Sequence, residues 1–263
     1  MPDITTILFI DLDGTIIQGP YGAVALPVVL DELSRKTGRP PEALREAILA
    51  EFHHRLDHPF PDDPPRVMDW DDINAAVAAR HGVTLEAVAS ALVRQNPGPP
   101  HAWPLDDAGA VLRALADERR KLVVATMGLS KFQFPVLEAL GLRDRFDDFL
   151  MPDLTGFLKT DRRFYESIYR QYPAATYINV GDYYWHDVLV PKQLGHLSIF
   201  KADIPALADL PPLARPGQLE PFKDGLYGEH GTFSLLPDAV IRHLSELPAV
   251  IAALERAAVR ADG

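Results

Sequence analysis

The sequence predicts an α/β protein, a doubly wound parallel sheet with a small helical domain inserted after its first strand. Short apolar runs without regular polar alternation predict the sheet, because parallel strands are covered on both faces. These runs occupy residues 7–10, 122–125, 177–180 and 197–200. Helical patterns separate the runs, which is typical of doubly wound sheets. A helical stretch between the first two runs, bounded by proline-rich breaks, predicts the inserted domain.

The boundaries of the insertion follow from two breaks. Residues 96–104 hold four prolines, so this segment is predicted to form neither a helix nor a ladder and to act as a linker. A looser break lies at residues 18–20. We therefore expect an α/β core formed by residues 1–18 and 103–263, and a helical domain formed by residues 19–102.

The insertion has the periodicity of amphipathic helices. Its apolar residues recur about every four positions, namely at Leu44, Ile48, Phe52, Leu56, Ile73 and Val77. Thr84 is predicted to cap the N-terminus of a further helix that carries Leu85, Val88 and Leu92. These apolar residues are expected to form the core of the inserted domain.

The rest of the chain alternates between helical patterns and loops. Helical spacing appears at residues 111–115, 130–140, 164–168, 240–244 and 250–254. Residues 209–236 are rich in proline and glycine, and their segments 224–228 and 230–232 predict turns or a hairpin. A surface elaboration or a subunit contact is the plainer interpretation of this stretch, and an active-site loop is the alternative.

Composition excludes several classes of function. The chain has no cysteine, which excludes disulfides, thiolate zinc sites and cysteine nucleophiles. It has 37 acidic and 26 basic side chains and a formal charge of −11, so a nucleic-acid polymer would be repelled. No apolar run is long enough for a signal sequence or a membrane span, so we expect a cytoplasmic protein without a membrane partner. The oligomeric state stays open.

Polar residues follow three of the four apolar runs. Asp11 and Asp13 follow the first, Thr126 the second, and Asp182 the third. In an open parallel sheet, ligands bind beyond the carboxyl ends of the strands, so these side chains are expected to meet at one edge. Close carboxylates repel one another, and a divalent cation makes such a cluster tolerable. Oxygen ligands beside a phosphate substrate suit magnesium.

The sequence resembles the haloacid dehalogenase-like (HAD) hydrolase superfamily, whose four motifs occur here in order. Asp-Leu-Asp-Gly-Thr at residues 11–15 is similar to the first motif, and Thr126 at a strand end is similar to the second. Lys159 ahead of a helix resembles the third motif, and Gly-Asp at residues 181–182, with Asp187 beyond, resembles the fourth. The resemblance implies a Rossmann-like core with the inserted helical segment in the position of the family's mobile cap.

The resemblance also implies a chemistry. Asp11 would attack phosphorus and form an aspartyl-phosphate, and Asp13 would protonate the leaving oxygen and later deprotonate water. Thr126 and Lys159 would bind the transferring phosphoryl group as catalytic, substrate-binding residues. The implied cofactor is Mg²⁺, and its ligands would come from Asp11, the Asp13 backbone carbonyl, Asp182 and Asp187.

The acid two residues after the nucleophile separates branches of the family. Haloacid dehalogenases and phosphonatases lack it, so Asp13 favours cleavage of a phosphate ester. The expected function is a magnesium-dependent phosphoric monoester hydrolase acting on a small phosphorylated metabolite of the nucleotide, sugar or glycolate phosphate class. A phosphomutase of the same fold and a non-catalytic phosphate-binding or regulatory protein are the alternatives. A receiver domain is disfavoured because its acceptor aspartate lies on a mid-chain strand.

Two positions depart from the family pattern, and the insertion offers few clear contacts. Met127 stands where relatives commonly have asparagine, and Thr160 where they have proline. A zinc site at His54 and His58 is disfavoured because Pro59 interrupts the helix and no third ligand is evident. The candidate substrate contacts of the insertion are His53, His54, Arg55, Asp57, Trp70 and Asn74.

Overall fold

The computed structural model describes residues 4–173, 175–222 and 235–261. Its main sheet has six parallel strands in the order β5-β4-β1-β6-β7-β8. The strands are β1 (Thr6–Ile10), β4 (Arg120–Ala125), β5 (Asp148–Leu150), β6 (Thr176–Gly181), β7 (Leu197–Lys201) and β8 (Ala239–Ile241). The remaining strands, β2 (Ile17–Gln18) and β3 (Trp103–Pro104), pair antiparallel with each other. The predicted fold class is confirmed.

Helices cover both faces of the sheet. Consecutive residues of β1 point to opposite sides, so the strand presents apolar side chains to the helices on each face. Leu8 and Ile10 belong to a cluster that includes buried residues of three flanking helices, whereas Ile7 and Phe9 pack with Phe164 and Ile168 on the other face. The helices of this core are α5 (Ala108–Leu115), α6 (Ser130–Ala139), α7 (Pro152–Thr155), α8 (Glu166–Gln171), α9 (Val190–Gln193) and α10 (Leu247–Ala261).

The register of the central strands determines which residues meet at the edge of the sheet. Ile10, the last residue of β1, is aligned with Val124 of β4 and Val180 of β6. The residues that follow these three strands therefore leave the sheet at nearly the same level. This alignment brings Asp11, Thr126 and Asp182 to one edge.

The inserted segment is helical. It contains α1 (Leu26–Thr37), α2 (Pro41–Asp57), α3 (Trp70–Arg80) and α4 (Ala89–Gln95). Buried residues of α1, α2 and α3, among them Leu33, Ile48 and Val77, share one hydrophobic cluster. The β2–β3 ribbon lies where the chain leaves the core and where it returns. The domain boundaries at residues 18 and 103 stay a prediction.

Three sequence-based predictions of local structure are wrong. Residues 240–244 include strand β8 and a short turn, not a helix, because residues 239–241 pair with β7. Trp103 and Pro104 do form a short ladder, in which two residues suffice. Thr84 does not cap a helix, since α4 begins only at Ala89.

The turns predicted at residues 224–228 and 230–232 lie outside the described residues. Within the described part of the chain, no helix combines the length and the apolar character needed to cross a membrane.

Candidate active site

Three carboxylates converge beyond the ends of β1 and β6. Oxygen atoms of Asp11, Asp182 and Asp187 all lie within 4.8 Å of one another. The Asp11 amide donates a hydrogen bond to the Val180 carbonyl at 2.9 Å, which continues the β1–β6 ladder by one residue. Asp187 lies in the helical turn after β6 and accepts a hydrogen bond from the Tyr183 amide at 2.9 Å. The fold therefore fixes all three side chains through backbone that adjoins the two central strands.

Lys159 is buried beside this cluster. Its Nζ lies 3.2 Å from Asp11 Oδ1 and 2.5 Å from Asp187 Oδ1, and the residue is only 1% exposed. Burial alone would lower the pKa of Lys159, but attraction from Asp11 and Asp187 outweighs it, so the pKa is raised. The ammonium group is thus held charged against the nucleophile predicted from the sequence.

The pKa values of Asp11 and Asp182 reflect both burial and the excess of carboxylates over lysine at the site. Burial raises the pKa of Asp11 well above its usual value, Lys159 opposes the shift, and Asp187 and Asp182 add to it. Burial and the charge of Asp187 raise the pKa of Asp182 to about 6, although a hydrogen bond from Thr15 opposes the shift. Added positive charge would therefore stabilise this arrangement.

Asp13 lies at the same cavity as Asp11 and is tied to α6. Gln133 Nε2 donates to Asp13 Oδ2 at 2.6 Å. The aspartate is exposed toward the cavity, and partial desolvation by the surrounding walls raises its pKa, with the Gln133 hydrogen bond acting in the opposite direction. The Gln133 side chain thereby limits which way this carboxyl group can point.

Thr126 occupies the position predicted from the sequence. It is buried directly after β4, and it lines the cavity. Its Oγ1 accepts a hydrogen bond from the Gly128 amide at 3.1 Å. That bond uses a lone pair of the hydroxyl, so the hydroxyl hydrogen is not consumed by it.

A cavity of about 410 Å³ joins these groups to the inserted helices. Its floor includes Asp11, Asp13, Thr126, Asp182 and Asp187. The rest of its lining comes mainly from the β2–α1 connection, from residues near the starts of α3 and α6, from Val93 of α4, and from Tyr183 and His186 after β6. A volume of this size is typical of a site for a small molecule.

Of the candidate contacts in the insertion, only Trp70 lines this cavity. Arg55 is buried and has a structural role, because its guanidinium pairs with Glu51 at 2.6 Å and with Asp72 at 2.8 Å. Asn74 is buried at 1% exposure and lies away from the cavity lining. The remaining candidates, which also lie outside the cavity lining, are His53, His54 and Asp57. His54 and His58 stack on each other at 4.6 Å between ring centroids, and neither belongs to the carboxylate cluster.

Two residues of the site carry contacts that sequence reasoning missed. Gln133 is a buried polar residue on α6, flanked on the helix by the buried Phe132 and Val136. In the sequence, Gln133 is a polar residue among apolar ones in a helical pattern, which can mark the residue but not its contact with Asp13. Met127 does more than replace a polar group, since its Sδ lies 3.4 Å from the Lys159 amide and accepts its hydrogen.

The donor set fits a hard divalent cation. Asp11, Asp182 and Asp187 offer only oxygen atoms as ligands, and one oxygen from each residue lies within 4.8 Å of the other two. Oxygen is the donor that magnesium prefers. Lys159 pairs with two of the three carboxylates, Asp11 and Asp187, so the cluster keeps a negative charge. The residues present therefore fit Mg²⁺ in both donor chemistry and charge.

A doubly wound parallel sheet with clustered carboxylates at the carboxyl ends of its central strands defines a Rossmann-like α/β enzyme. A family model for haloacid dehalogenase-like hydrolases matches residues 5–195. The chain belongs to this family, as the motifs predict.

Solved structures show the same fold. A HAD phosphatase from Thermococcus onnurineus aligns with a TM-score of 0.65 and 24% identity over 94% of this chain and 97% of that one. The magnesium-bound putative HAD-hydrolase YfnB from Bacillus subtilis aligns at 0.61 and 17% identity, over 94% and 98%. L-2-haloacid dehalogenase from Xanthobacter autotrophicus aligns at 0.60 and 18%, also over 94% and 98%. None of the curated proteins compared matches the chain. At such identities these likenesses concern the fold alone.

Proposed function

We propose that the protein is a magnesium-dependent phosphatase that hydrolyses a small phosphate monoester through an aspartyl-phosphate on Asp11. The observation that carries this proposal is the second carboxyl group, Asp13, which faces the same cavity as Asp11. An alkoxide is a poor leaving group unless it is protonated, so a carboxyl group at this place serves cleavage of a P–O bond. A halide leaves without a proton, so cleavage of a carbon–halogen bond would not need Asp13 as a general acid.

The reaction proceeds as two displacements at phosphorus. A carboxylate oxygen of Asp11 attacks, the bond from phosphorus to the ester oxygen breaks, and Asp13 gives its proton to the departing alcohol. Water then attacks the phosphorus of the Asp11 ester and loses a proton to Asp13, and the bond to Asp11 breaks. The net change converts one monoester and one water into an alcohol and inorganic phosphate.

The surrounding residues support this sequence of steps. The raised pKa of Asp13 favours the protonated form that the first displacement needs. Lys159, held 3.2 Å from Asp11 Oδ1, would offset negative charge on the phosphoryl oxygens, and the Thr126 hydroxyl would orient them by donating a hydrogen bond. Mg²⁺, when bound by Asp11, Asp182, Asp187 and the Asp13 carbonyl, supplies charge neutralisation for the phosphoryl group.

Release of inorganic phosphate from a panel of small monoesters tests the proposal. We expect wild-type protein to release phosphate with magnesium and to stop when EDTA is added. Asp11→Asn should be folded and inactive. Asp31→Asn is the matched control, because Asp31 is an exposed residue of α1 paired with Arg35, and it should retain wild-type activity.

Three outcomes would overturn the proposal. Equal phosphate release by Asp11→Asn and wild type would show that Asp11 is not the nucleophile. Halide release from 2-chloropropionate would establish dehalogenase chemistry. Isomerisation of a phosphate ester without release of phosphate would establish a mutase.

A further inference from the structure

The part of the cavity beyond the carboxylate floor is apolar and aromatic. Its walls include Tyr21, Met68, Trp70, Val93, Phe132 and Val136. The Trp70 ring is braced on two sides, with ring centroids 4.8 Å from Tyr21 and 5.0 Å from Phe52. The Tyr21 hydroxyl is buried, so Tyr21 offers the cavity mainly its ring. A leaving group that enters this space exchanges water for apolar surface.

The walls offer little compensation for a second negative charge, because His186 is the one basic side chain among the described lining residues. Among the described residues, no lysine or arginine lines the cavity. Lys159 lies beneath the floor and pairs with Asp11 and Asp187. The nearby Lys131, 5.3 Å over the Phe132 ring, pairs with Asp69 and Asp71 at the start of α3. An anionic substituent on a leaving group that lies against Tyr21, Trp70 and Phe132 would therefore be desolvated without a lysine or arginine partner.

A leaving group rich in hydroxyls would be poorly served as well. The Gln133 amide at the cavity already donates to Asp13 at 2.6 Å. The other polar side chains of the lining beyond the carboxylate floor are Gln18, Tyr183 and His186. A sugar would give up hydrogen bonds to water and meet mostly aromatic and aliphatic side chains instead. The stacked rings of Tyr21 and Trp70 offer, by contrast, a flat surface of the kind that aromatic groups pack against.

Taking the phosphatase function proposed above as given, we infer that the substrate is the phosphate monoester of an uncharged alcohol with an aromatic ring close to the ester oxygen. The phosphate lies over the carboxylate floor, and the ring lies against Tyr21, Trp70 and Phe132. Among the metabolite classes expected from the sequence, this inference disfavours glycolate phosphate, which carries a carboxylate, and simple sugar phosphates.

A matched pair of substrates tests the inference. Benzyl phosphate and 4-carboxybenzyl phosphate differ by one remote carboxylate, while the ester linkage is the same. We expect kcat/KM for benzyl phosphate to exceed that for 4-carboxybenzyl phosphate by about tenfold or more, mainly through KM. Glucose 6-phosphate should also be hydrolysed more slowly than benzyl phosphate. A ratio near one, or preference for either polar ester, would overturn the inference.

Variants of the wall connect the preference to these residues. Trp70→Ala should raise KM for benzyl phosphate and reduce the ratio between the matched substrates. Phe132→Leu, a milder change that keeps the site apolar, should lower turnover of benzyl phosphate if Trp70→Ala fails to fold. Trp103→Ala is the matched control, since Trp103 is exposed and lies outside the cavity lining. An unaltered ratio in both folded wall variants would contradict the assignment.

Acetyl phosphate separates failure of this inference from failure of the proposed function. Its leaving group is small and departs without help from the wall. Acetyl phosphate hydrolysis that requires Asp11, together with no preference for benzyl phosphate, would overturn the substrate class alone. No Asp11-dependent phosphate release from any of these compounds would overturn both.

Discussion

At the scale of single residues, the carboxylate floor depends on two glycines that leave room for aspartates. A Cβ atom at Gly14 would lie 2.1 Å from Asp182 Oδ2, and one at Gly181 would lie 2.0 Å from Asp187 Cγ. Both distances are far below van der Waals contact. Gly14 also has a φ of +76°, which side chains with a Cβ rarely adopt.

Gly14→Ala should combine backbone strain with displacement of Asp182. Gly141→Ala is the matched control, because Gly141 has a φ of +64° and open space where a Cβ would be. We expect each variant to lose about 1–2 kcal/mol of unfolding free energy from strain. Only Gly14→Ala should also lose activity, by about 10- to 100-fold. Urea unfolding and phosphate release measure the two effects, and equal activity losses in both variants would contradict the role of the clash.

The predicted site residues could be found from the sequence because they follow apolar strands directly. Asp11, Thr126 and Asp182 need only the rule that parallel strands end at one edge. The contact of Gln133 with Asp13 spans 120 positions and depends on how α6 packs, which no local pattern encodes. The same holds for Trp70, whose place in the cavity wall follows from the packing of the inserted helices.

At the scale of elements, an ion-paired cluster connects α6 of the core with the start of α3. Lys131 Nζ lies 2.7 Å from Asp69 Oδ1 and 2.8 Å from Asp71 Oδ2. Asp71 also accepts the Ser90 amide of α4 at 2.9 Å. These bonds join two inserted helices to the core beside the cavity, so they favour the arrangement in which the cavity is covered.

Lys131→Met should weaken that arrangement and lower kcat/KM by about two- to fivefold, because partly exposed ion pairs contribute up to roughly 1 kcal/mol each. Added salt screens these ion pairs, so it should also lower kcat/KM of the wild type, and it should affect the variant less. Lys121→Met removes a comparable pair with Asp147 away from the cavity and serves as the control. Equal salt dependence in wild type and Lys131→Met would contradict a role for this cluster.

Elements were predictable where local pattern and tertiary pairing agree. The runs that became β1, β4, β6 and β7 are apolar apart from Asn179 and Ser198, and all four are identifiable from the sequence. Strand β8 covers only residues 239–241, too short for a pattern to distinguish it from a helix. The helix expected from Thr84 does not form there: residues 83–88 have no regular structure, and the amides of Glu86 and Ala87 donate to the Glu32 carboxylate of α1, each at 2.8 Å.

At the scale of the whole molecule, the pH dependence of stability should carry a contribution from His196. Its ring lies between Asn179 Oδ1 at 2.7 Å and the Tyr169 hydroxyl at 2.6 Å. Burial, with a smaller effect of Arg162, lowers its pKa to about 4, against about 6.5 in the unfolded chain. Since the folded state favours the neutral ring, the contribution is complete above pH 6.5 and is lost as pH falls toward 4.

We expect this contribution to fall by about 2 kcal/mol between pH 7 and pH 5. His196→Gln should therefore show a shallower decline of unfolding free energy over this range than wild type, as measured by urea unfolding at several pH values. His53→Gln, which changes an exposed histidine, should decline as wild type does. Parallel declines in wild type and His196→Gln would show that His196 titrates normally in the fold.

Excess negative charge at the site, in a chain with a formal charge of −11, implies that stability and function oppose each other there. Asp11 and Asp187 share the buried Lys159, whereas Asp182, the third carboxylate of the cluster, lies outside that pair. Burial and the charge of Asp187 raise the pKa of Asp182 to about 6, although the Thr15 hydrogen bond and the charge of Lys201 oppose the shift. Removing one of these charges should reduce the repulsion and so stabilise the metal-free protein. Adding a divalent cation should relieve it more, because a ligand that binds only the folded state stabilises it.

Asp182→Asn separates these two effects, because asparagine keeps an oxygen that can accept the Thr15 hydroxyl bond, which measures 3.0 Å in the wild type. In EDTA at pH 7.5, we expect the variant to melt at a higher temperature than wild type. As magnesium is titrated in, the Tm of wild type should rise by several degrees and that of the variant by less. The difference between the two Tm values should therefore narrow or change sign. Asp31→Asn should follow wild type throughout. A variant that melts lower in EDTA and gains as much from magnesium as wild type would show that Asp182 neither repels its neighbours nor binds the metal.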